Sequence, residues 1–304
     1  MFKDIKQVMK DSVLYGIGNV AVKLVGFILI PLYTDAEYFS TADYGLMGLL
    51  EVTSQILIAV MGLSLYSGLI RWYWDAEYRD KQKTIFFTTL LFTILWLNVG
   101  ELSALLVQQE GYSLGGELPY ILQLLILTSM LGAVVEVPQN LLRLQRKPIY
   151  YSLTNIVRLF VTLVLTIYFT ISLHRGVSGV YEAQLVGIVI QLLMVLPLVI
   201  KNSSCRVDRR CTIQLLVYSY PLVFPAIVGS LLTVFDRYII NHFQGLDDVG
   251  FYSLGYKVGN TLKVFIVTSV QLALTPLLMK KMNDPDNKQF YSKVLTYFSF
   301  GLMF

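Results

Sequence analysis

Nine apolar stretches succeed one another along this chain, and the basic residues between them crowd into every second gap. A lipid bilayer is the solvent this arrangement suits. Crossing its hydrocarbon core takes about 20 mostly apolar residues of helix, because each backbone N–H and C=O must find its partner within the helix where water is absent. Eight stretches have that length, at 12–34, 45–69, 84–106, 118–142, 150–172, 178–200, 214–240 and 249–279. A ninth begins near Tyr291, and its apolar part, Val294 to Phe304, supplies roughly half a span. The expected fold is therefore all-α: a polytopic transmembrane helix bundle with eight complete spans and a partial ninth. It divides into a six-span lobe over 1–201 and the start of a second lobe over 202–304, with the second lobe read as truncated. At 55% hydrophobic and 14% charged residues, the composition excludes an ordinary soluble domain.

Short loops rich in Lys and Arg are retained in the cytoplasm, whereas Asp and Glu contribute little to that choice. The N-terminus and the second, fourth, sixth and eighth gaps hold 18 of the 24 basic residues, including Arg71, Lys81, Arg143, Lys147, Lys201 and Arg210. The odd gaps hold only Arg175, with acids such as Asp35, Asp43, Glu117, Asp247 and Asp248. An N-terminus in the cytoplasm follows. The net charge of +4 then reflects membrane topology, with no nucleic-acid partner implied. Residues 1–11 form an amphipathic lead-in suited to the inner leaflet, with Phe2, Ile5 and Met9 on one face.

No gap exceeds roughly a dozen residues, too few for a folded domain outside the membrane. Cys205 and Cys211 share a cytoplasmic loop, where reducing conditions leave them as free thiols without a nearby His to make a zinc site. His174 and His242 lie in unrelated gaps, with neither metal-ligand spacing nor an evident nucleophile. A membrane-embedded polysaccharide polymerase or acyltransferase is thereby disfavoured.

Function must then lie among the charges inside the spans, since an ionisable group at mid-bilayer costs at least ~2.5 kcal/mol. These are Lys23, Glu51, Glu136, Arg158, Glu182, Asp236, Arg237, Lys257 and Lys263. Most belong to polar stripes at helical spacing: Asn19, Lys23 and Gly26 in span 1; Gly48, Glu51 and Gln55 in span 2; Ser129, Gly132, Glu136 and Asn140 in span 4. Span 5 carries Asn155, Arg158, Thr162 and Thr166, span 7 Thr233, Arg237 and Asn241, and span 8 Ser253, Lys257 and Asn260. Stripes without charge read as helix–helix contacts, in which small and hydrogen-bonding residues permit close approach. Those with cations read as the walls of a hydrated interior, and five bases against four acids suit an anionic ligand. Glu182, near a membrane edge, is expected to be solvated there. Pro31, Pro138, Pro197, Pro221, Pro225 and Pro276 fall within spans, where each removes a backbone hydrogen bond.

An internal repeat is also visible. Asp43-Tyr44-Gly45 opens span 2 and Asp248-Val249-Gly250 opens span 8, an offset of 205 residues that also pairs Tyr33 with Tyr238. Six spans separate the copies, so they run in the same direction and are related by an axis along the membrane normal.

Three phrases carry a resemblance over essentially the whole chain. They are Tyr15-Gly16-Ile17-Gly18-Asn19 leading to Ile30-Pro31-Leu32-Tyr33-Thr34, then Phe235-Asp236-Arg237-Tyr238, then Val249-Gly250-Phe251-Tyr252-Ser253-Leu254-Gly255-Tyr256-Lys257. Together they resemble the polysaccharide biosynthesis or oligosaccharide flippase family, the Wzx-type branch of the multidrug/oligosaccharidyl-lipid/polysaccharide exporter superfamily. The resemblance implies transport, not catalysis. Its cargo would be an undecaprenyl-diphosphate-linked oligosaccharide, moved across the bacterial inner membrane by alternating access of two helical lobes for O-antigen or capsule biosynthesis. Polysaccharide assembly proteins are the implied partners. No cofactor or metal is expected; a proton or sodium ion is the expected coupling ion. On this reading Lys23, Arg158, Arg237, Lys257 and Lys263 balance the diphosphate. Glu51, Glu136 or Asp236 exchanges the coupling ion. A drug or small-molecule antiporter of the same superfamily is the alternative, and it would favour a more acidic cavity.

Overall fold

The computed structural model describes residues 28–73, 76–111, 117–204, 206–263 and 287–303. Lys23, Pro276 and the lead-in over 1–11 lie outside them. All the described regular structure is helical: α1 (Ile30–Tyr33), α2 (Thr41–Gly62), α3 (Leu65–Trp72), a 3₁₀ turn (Ala76–Lys81), α4 (Gln82–Gly111), α5 (Leu118–Leu144), α6 (Pro148–Ile167), α7 (Gly176–Asn202), α8 (Arg209–Phe243), α9 (Leu246–Lys263) and α10 (Asn287–Met303). Five segments among the described residues are long and apolar enough to cross a membrane: Thr41–Gly62, Leu118–Leu144, Pro148–Ser172, Gly176–Asn202 and Arg209–Leu232.

The sequence logic of the helix starts is local. Ser40 caps α2 in a reciprocal box: its Oγ accepts from the Asp43 N–H at 3.1 Å, and the Ser40 N–H donates to Asp43 Oδ2 at 2.9 Å. The helix accordingly begins at Thr41, before the residue-45 start that hydropathy suggests. Pro138, Pro197, Pro221 and Pro225 sit inside helices as expected. Pro31 occupies the first turn of α1, a position that tolerates proline.

The second span is not one helix. Leu63 and Ser64 both take left-handed backbone conformations, with φ of 44° and 50°, and separate α2 from α3. Each left-handed non-glycine residue costs roughly 1–2 kcal/mol. Burial offsets that cost, with Ser64 and Leu65 sealed in the core and Gly68 pressed against Leu215 and Ser219 of α8. A hydropathy profile registers composition, and both sides of this break are apolar. The fifth span likewise ends in a π-helical turn, Tyr168–Ser172.

Packing proceeds through shared neighbours: α2 lies against α9 and α5, α5 against α7 and α4, and α7 against α6. Two buried clusters form at opposite ends. One gathers Leu65, Leu69, Phe86, Leu141 and Leu215, the other Tyr33, Tyr44, Leu50, Leu125 and Tyr181. The basic gaps meet at the first end. Lys81 Nζ lies 2.5 Å from Asp208 Oδ2, the Thr84 and Ser204 hydroxyls are 3.0 Å apart, and Gln145 donates to Asn202 at 2.8 Å. At the other end His174 stacks on Tyr38, while Arg175 Nη1 and the Tyr120 hydroxyl reach Glu182 Oε1 at 2.5 and 2.8 Å. Glu182 is thus paired, not merely solvated.

The Lys81–Asp208 contact clasps the 3₁₀ turn to the start of α8, and Asp208 also caps that helix through the Arg210 and Cys211 amides at 3.0 and 3.4 Å. The Lys81 ammonium holds the Asp208 carboxyl below its usual range, and Asp208 in turn raises Lys81. A depressed carboxylate stabilises the fold above its ordinary pKa, and that contribution fades as pH falls through the lowered one. Asp208→Asn, which keeps a capping side chain, will therefore lower the thermal midpoint less than Asp208→Ala. The gap between Asp208→Asn and wild type will close on acidification in a thermal-melt series.

The repeat becomes a physical seam. A Cβ built on Gly45 would stand 1.9 Å from the Leu246 carbonyl oxygen, and one on Gly250 would stand 2.5 Å from that of Thr41. Those two contacts exchange under the 205-residue offset, since Thr41 corresponds to Leu246 and Gly45 to Gly250. Gly48 faces its own counterpart Ser253, whose Oγ would lie 2.4 Å from the added carbon. Such reciprocity, residue i touching j while j touches i, is what a two-fold axis between two copies produces. Small residues at the crossing let the α2 and α9 backbones approach closely.

Candidate functional site

Going down this seam from the glycine crossing, the symmetry of the backbone persists and that of the chemistry ends. Under the same offset Arg237 corresponds to Leu32, Lys257 to Val52 and Tyr256 to Glu51. The cations here come from the second copy alone, whereas Glu51 comes from the first. Lys257 lies eleven residues into α9. That is about 16 Å along the helix from its start, at 1.5 Å per residue.

Arg237 on α8 is 6% exposed, and its Nε has no hydrogen-bond partner among the described residues. Its guanidinium carbon lies over the Tyr256 ring, 4.8 Å from the centroid. The neighbouring Asp236 does not neutralise it. One Asp236 oxygen accepts the Arg237 backbone N–H at 2.8 Å and the other accepts the Tyr252 hydroxyl. Lys257 Nζ is 5.4 Å from the Tyr33 ring centroid and 5.9 Å from that of Tyr44, with no carboxylate within 4 Å among the described residues. Glu51, two turns beyond Tyr44 on the same face of α2, is exposed. It acts electrostatically on Lys257, Tyr33, Tyr44 and Tyr181. Tyr238, the counterpart of Tyr33, reaches back across the seam to the Thr53 hydroxyl at 2.6 Å.

The remaining candidates separate from this group. Arg158 donates to Gln191 Oε1 at 3.1 Å, and Gln191 in turn donates to Asn155 at 3.0 Å, so its stripe locks α6 to α7. Thr162 of that stripe fills the notch at Gly187. The stripe that includes Arg158 thus makes a helix–helix contact between α6 and α7. Glu136 faces Gly62, eleven residues from Glu51 along α2 and therefore about 16 Å away by helix rise. The Lys263 side chain lies outside the described residues. Among the described residues, no three His, Cys, Asp or Glu side chains gather as a metal site.

A pair of cations with no carboxylate partner among the described residues suits a ligand with concentrated negative charge. Comparison with known proteins places the chain. The sequence profile described as polysaccharide biosynthesis protein matches residues 8–282. The chain belongs to that family. No curated protein matches it. Among solved structures, a ligand complex of the MATE multidrug transporter DinF-BH is similar at TM-score 0.73 and 16% identity, covering 97% of this chain and 71% of that one. A MATE structure in complex with Br-NRF gives 0.65 and 16%, over 96% of this chain and 72% of the other. An inward-facing multidrug resistance MATE family transporter of the MOP superfamily gives 0.66 and 14%, over 96% and 68%. At these identities the likeness shows the fold alone: this member of the polysaccharide biosynthesis family is a MATE-like bundle of apolar helices.

Sequence reasoning selected Arg237, Lys257, Glu51 and Asp236 and missed the tyrosines that hold them. Tyr33, Tyr44, Tyr252 and Tyr256 read as apolar core or family signature, because a ring has no charge to raise suspicion. The usable signal was Tyr252 and Tyr256 one turn apart beside Lys257.

Proposed function

We propose that this chain moves an undecaprenyl-diphosphate-linked oligosaccharide from the cytoplasmic to the periplasmic leaflet of the bacterial inner membrane, for O-antigen or capsule biosynthesis. The observation that carries the proposal is the Arg237–Lys257 pair on the α2–α8–α9 seam, the first buried and the second half-buried, without a carboxylate partner among the described residues. The basic gaps face the cytoplasm, in keeping with the retention of Lys and Arg there. The diphosphate rests between the two cations while the polyprenyl tail stays in lipid, and the chain performs no chemistry on its cargo. Glu51, exposed beside Lys257, is the acid placed to exchange a proton or sodium ion. Asp236 is already committed to Tyr252 and its neighbour's amide.

The fold is equally that of multidrug transporters, and an exposed Glu51 is the one feature that suits a cationic drug. A melt of the purified chain separates the two readings. A short-chain polyprenyl diphosphate will raise the thermal midpoint by several degrees at concentrations well above its Kd, as binding to the folded state alone requires, and a cationic dye will leave it unmoved. The reverse pattern rejects the flippase assignment in favour of the antiporter.

A further inference from the structure

Arg237 and Lys257 share a property that their charge does not explain: each rests on tyrosine ring faces, and Asp236, the acid beside Arg237, is turned to other partners. Arg237 lies over Tyr256, and Lys257 lies between Tyr33 and Tyr44. Asp236 and Arg237 are adjacent on α8, so their side chains leave the helix about 100° apart. Tyr252 and Tyr256 are one turn apart on α9, with ring centroids separated by 6.2 Å. The two tyrosines divide the acid from the base: Tyr252 donates its hydroxyl to Asp236, and Tyr256 offers its ring to Arg237.

We infer that Tyr256, together with the Tyr33–Tyr44 pair, is a positioning element that fixes the spacing of the two cations for a diphosphate without cancelling their charge. This rests on the flippase reading above. The negative face of an aromatic ring attracts a cation, yet it leaves the N–H donors at the rim of a planar guanidinium free for phosphate oxygens. A carboxylate in the same place would consume those donors and compete with the ligand.

The test measures binding of a short-chain polyprenyl diphosphate to the purified chain in lipid nanodiscs, with the matching monophosphate for comparison. Tyr256→Phe, which keeps the ring, will bind within about twofold of wild type. Tyr256→Leu will lose roughly tenfold in affinity for the diphosphate and less for the monophosphate. Added to Arg237→Gln it will cause no further loss, because the two residues act as one unit. Should Tyr256→Leu destabilise the fold, Tyr44→Leu against Tyr44→Phe repeats the comparison at Lys257. If the leucine variants bind the diphosphate as tightly as wild type while Arg237→Gln loses it, the seat is refuted and the flippase reading stands. If Arg237→Gln itself binds like wild type, both fall.

Discussion

Replacing Gly45 with alanine will destabilise this protein by about 1–3 kcal/mol, the range for forcing an extra carbon into a packed interface, and leucine there will abolish folded protein in the membrane. The obstruction is backbone: the new carbon would meet the Leu246 carbonyl oxygen at 1.9 Å, and no rotamer change relieves that contact. The counterpart Gly250→Ala meets the Thr41 carbonyl at 2.5 Å and will behave in the same way. Gly255 is on the same helix with open space around its Cβ position among the described residues. Gly255→Ala will therefore be neutral or stabilising by up to about 1 kcal/mol, as helix propensity predicts. Thermal unfolding of the four proteins in one detergent checks the order. Equal losses at Gly45 and Gly255 would remove the seam from the account.

The second large effect is on transport. Arg237→Gln keeps a hydrogen-bonding side chain but removes the buried charge. Loss of a charge-assisted contact of about 1.5–3 kcal/mol corresponds to roughly 10- to 150-fold weaker binding. Surface polysaccharide in a strain lacking its own flippase will drop accordingly, and Arg237→Gln combined with Lys257→Gln will eliminate it. Arg158→Gln provides the contrast. Its partner Gln191 joins α6 to α7 away from the seam, so it will lower stability while leaving polymer output per folded molecule near wild type. Normal polymer from the Arg237–Lys257 double variant at wild-type abundance rejects the pair as the ligand site.

These two results test features of different legibility. The Gly45–Gly250 correspondence is visible in the sequence as a weak match at a 205-residue offset, and its contacts obey that register to the residue. The repeat was readable because the two copies bury the same surface against each other, so each must keep small residues at the crossing. The cation pair was half readable. Buried charges stand out in any apolar helix, yet Arg158 and Arg237 look alike in sequence. Arg158 finds Gln191 across a helix contact, and Arg237 finds a ring instead of a hydrogen-bond acceptor. The break at Leu63–Ser64 left no signal, since neither residue is a helix breaker and the flanks on both sides are equally apolar.

The order of apolar helices, the alternation of basic and acidic gaps and the duplicated motif were settled by the sequence alone. The bilayer explains why: it imposes a length and a polarity on each segment separately, a rule that acts along one dimension. Which charges converge was decided only by the tertiary structure. Tyr33, Glu51, Arg237 and Lys257 are drawn together from across more than two hundred residues by the close crossing of α2 and α9, and a charge inside a membrane takes its meaning from the partner that packing brings to it.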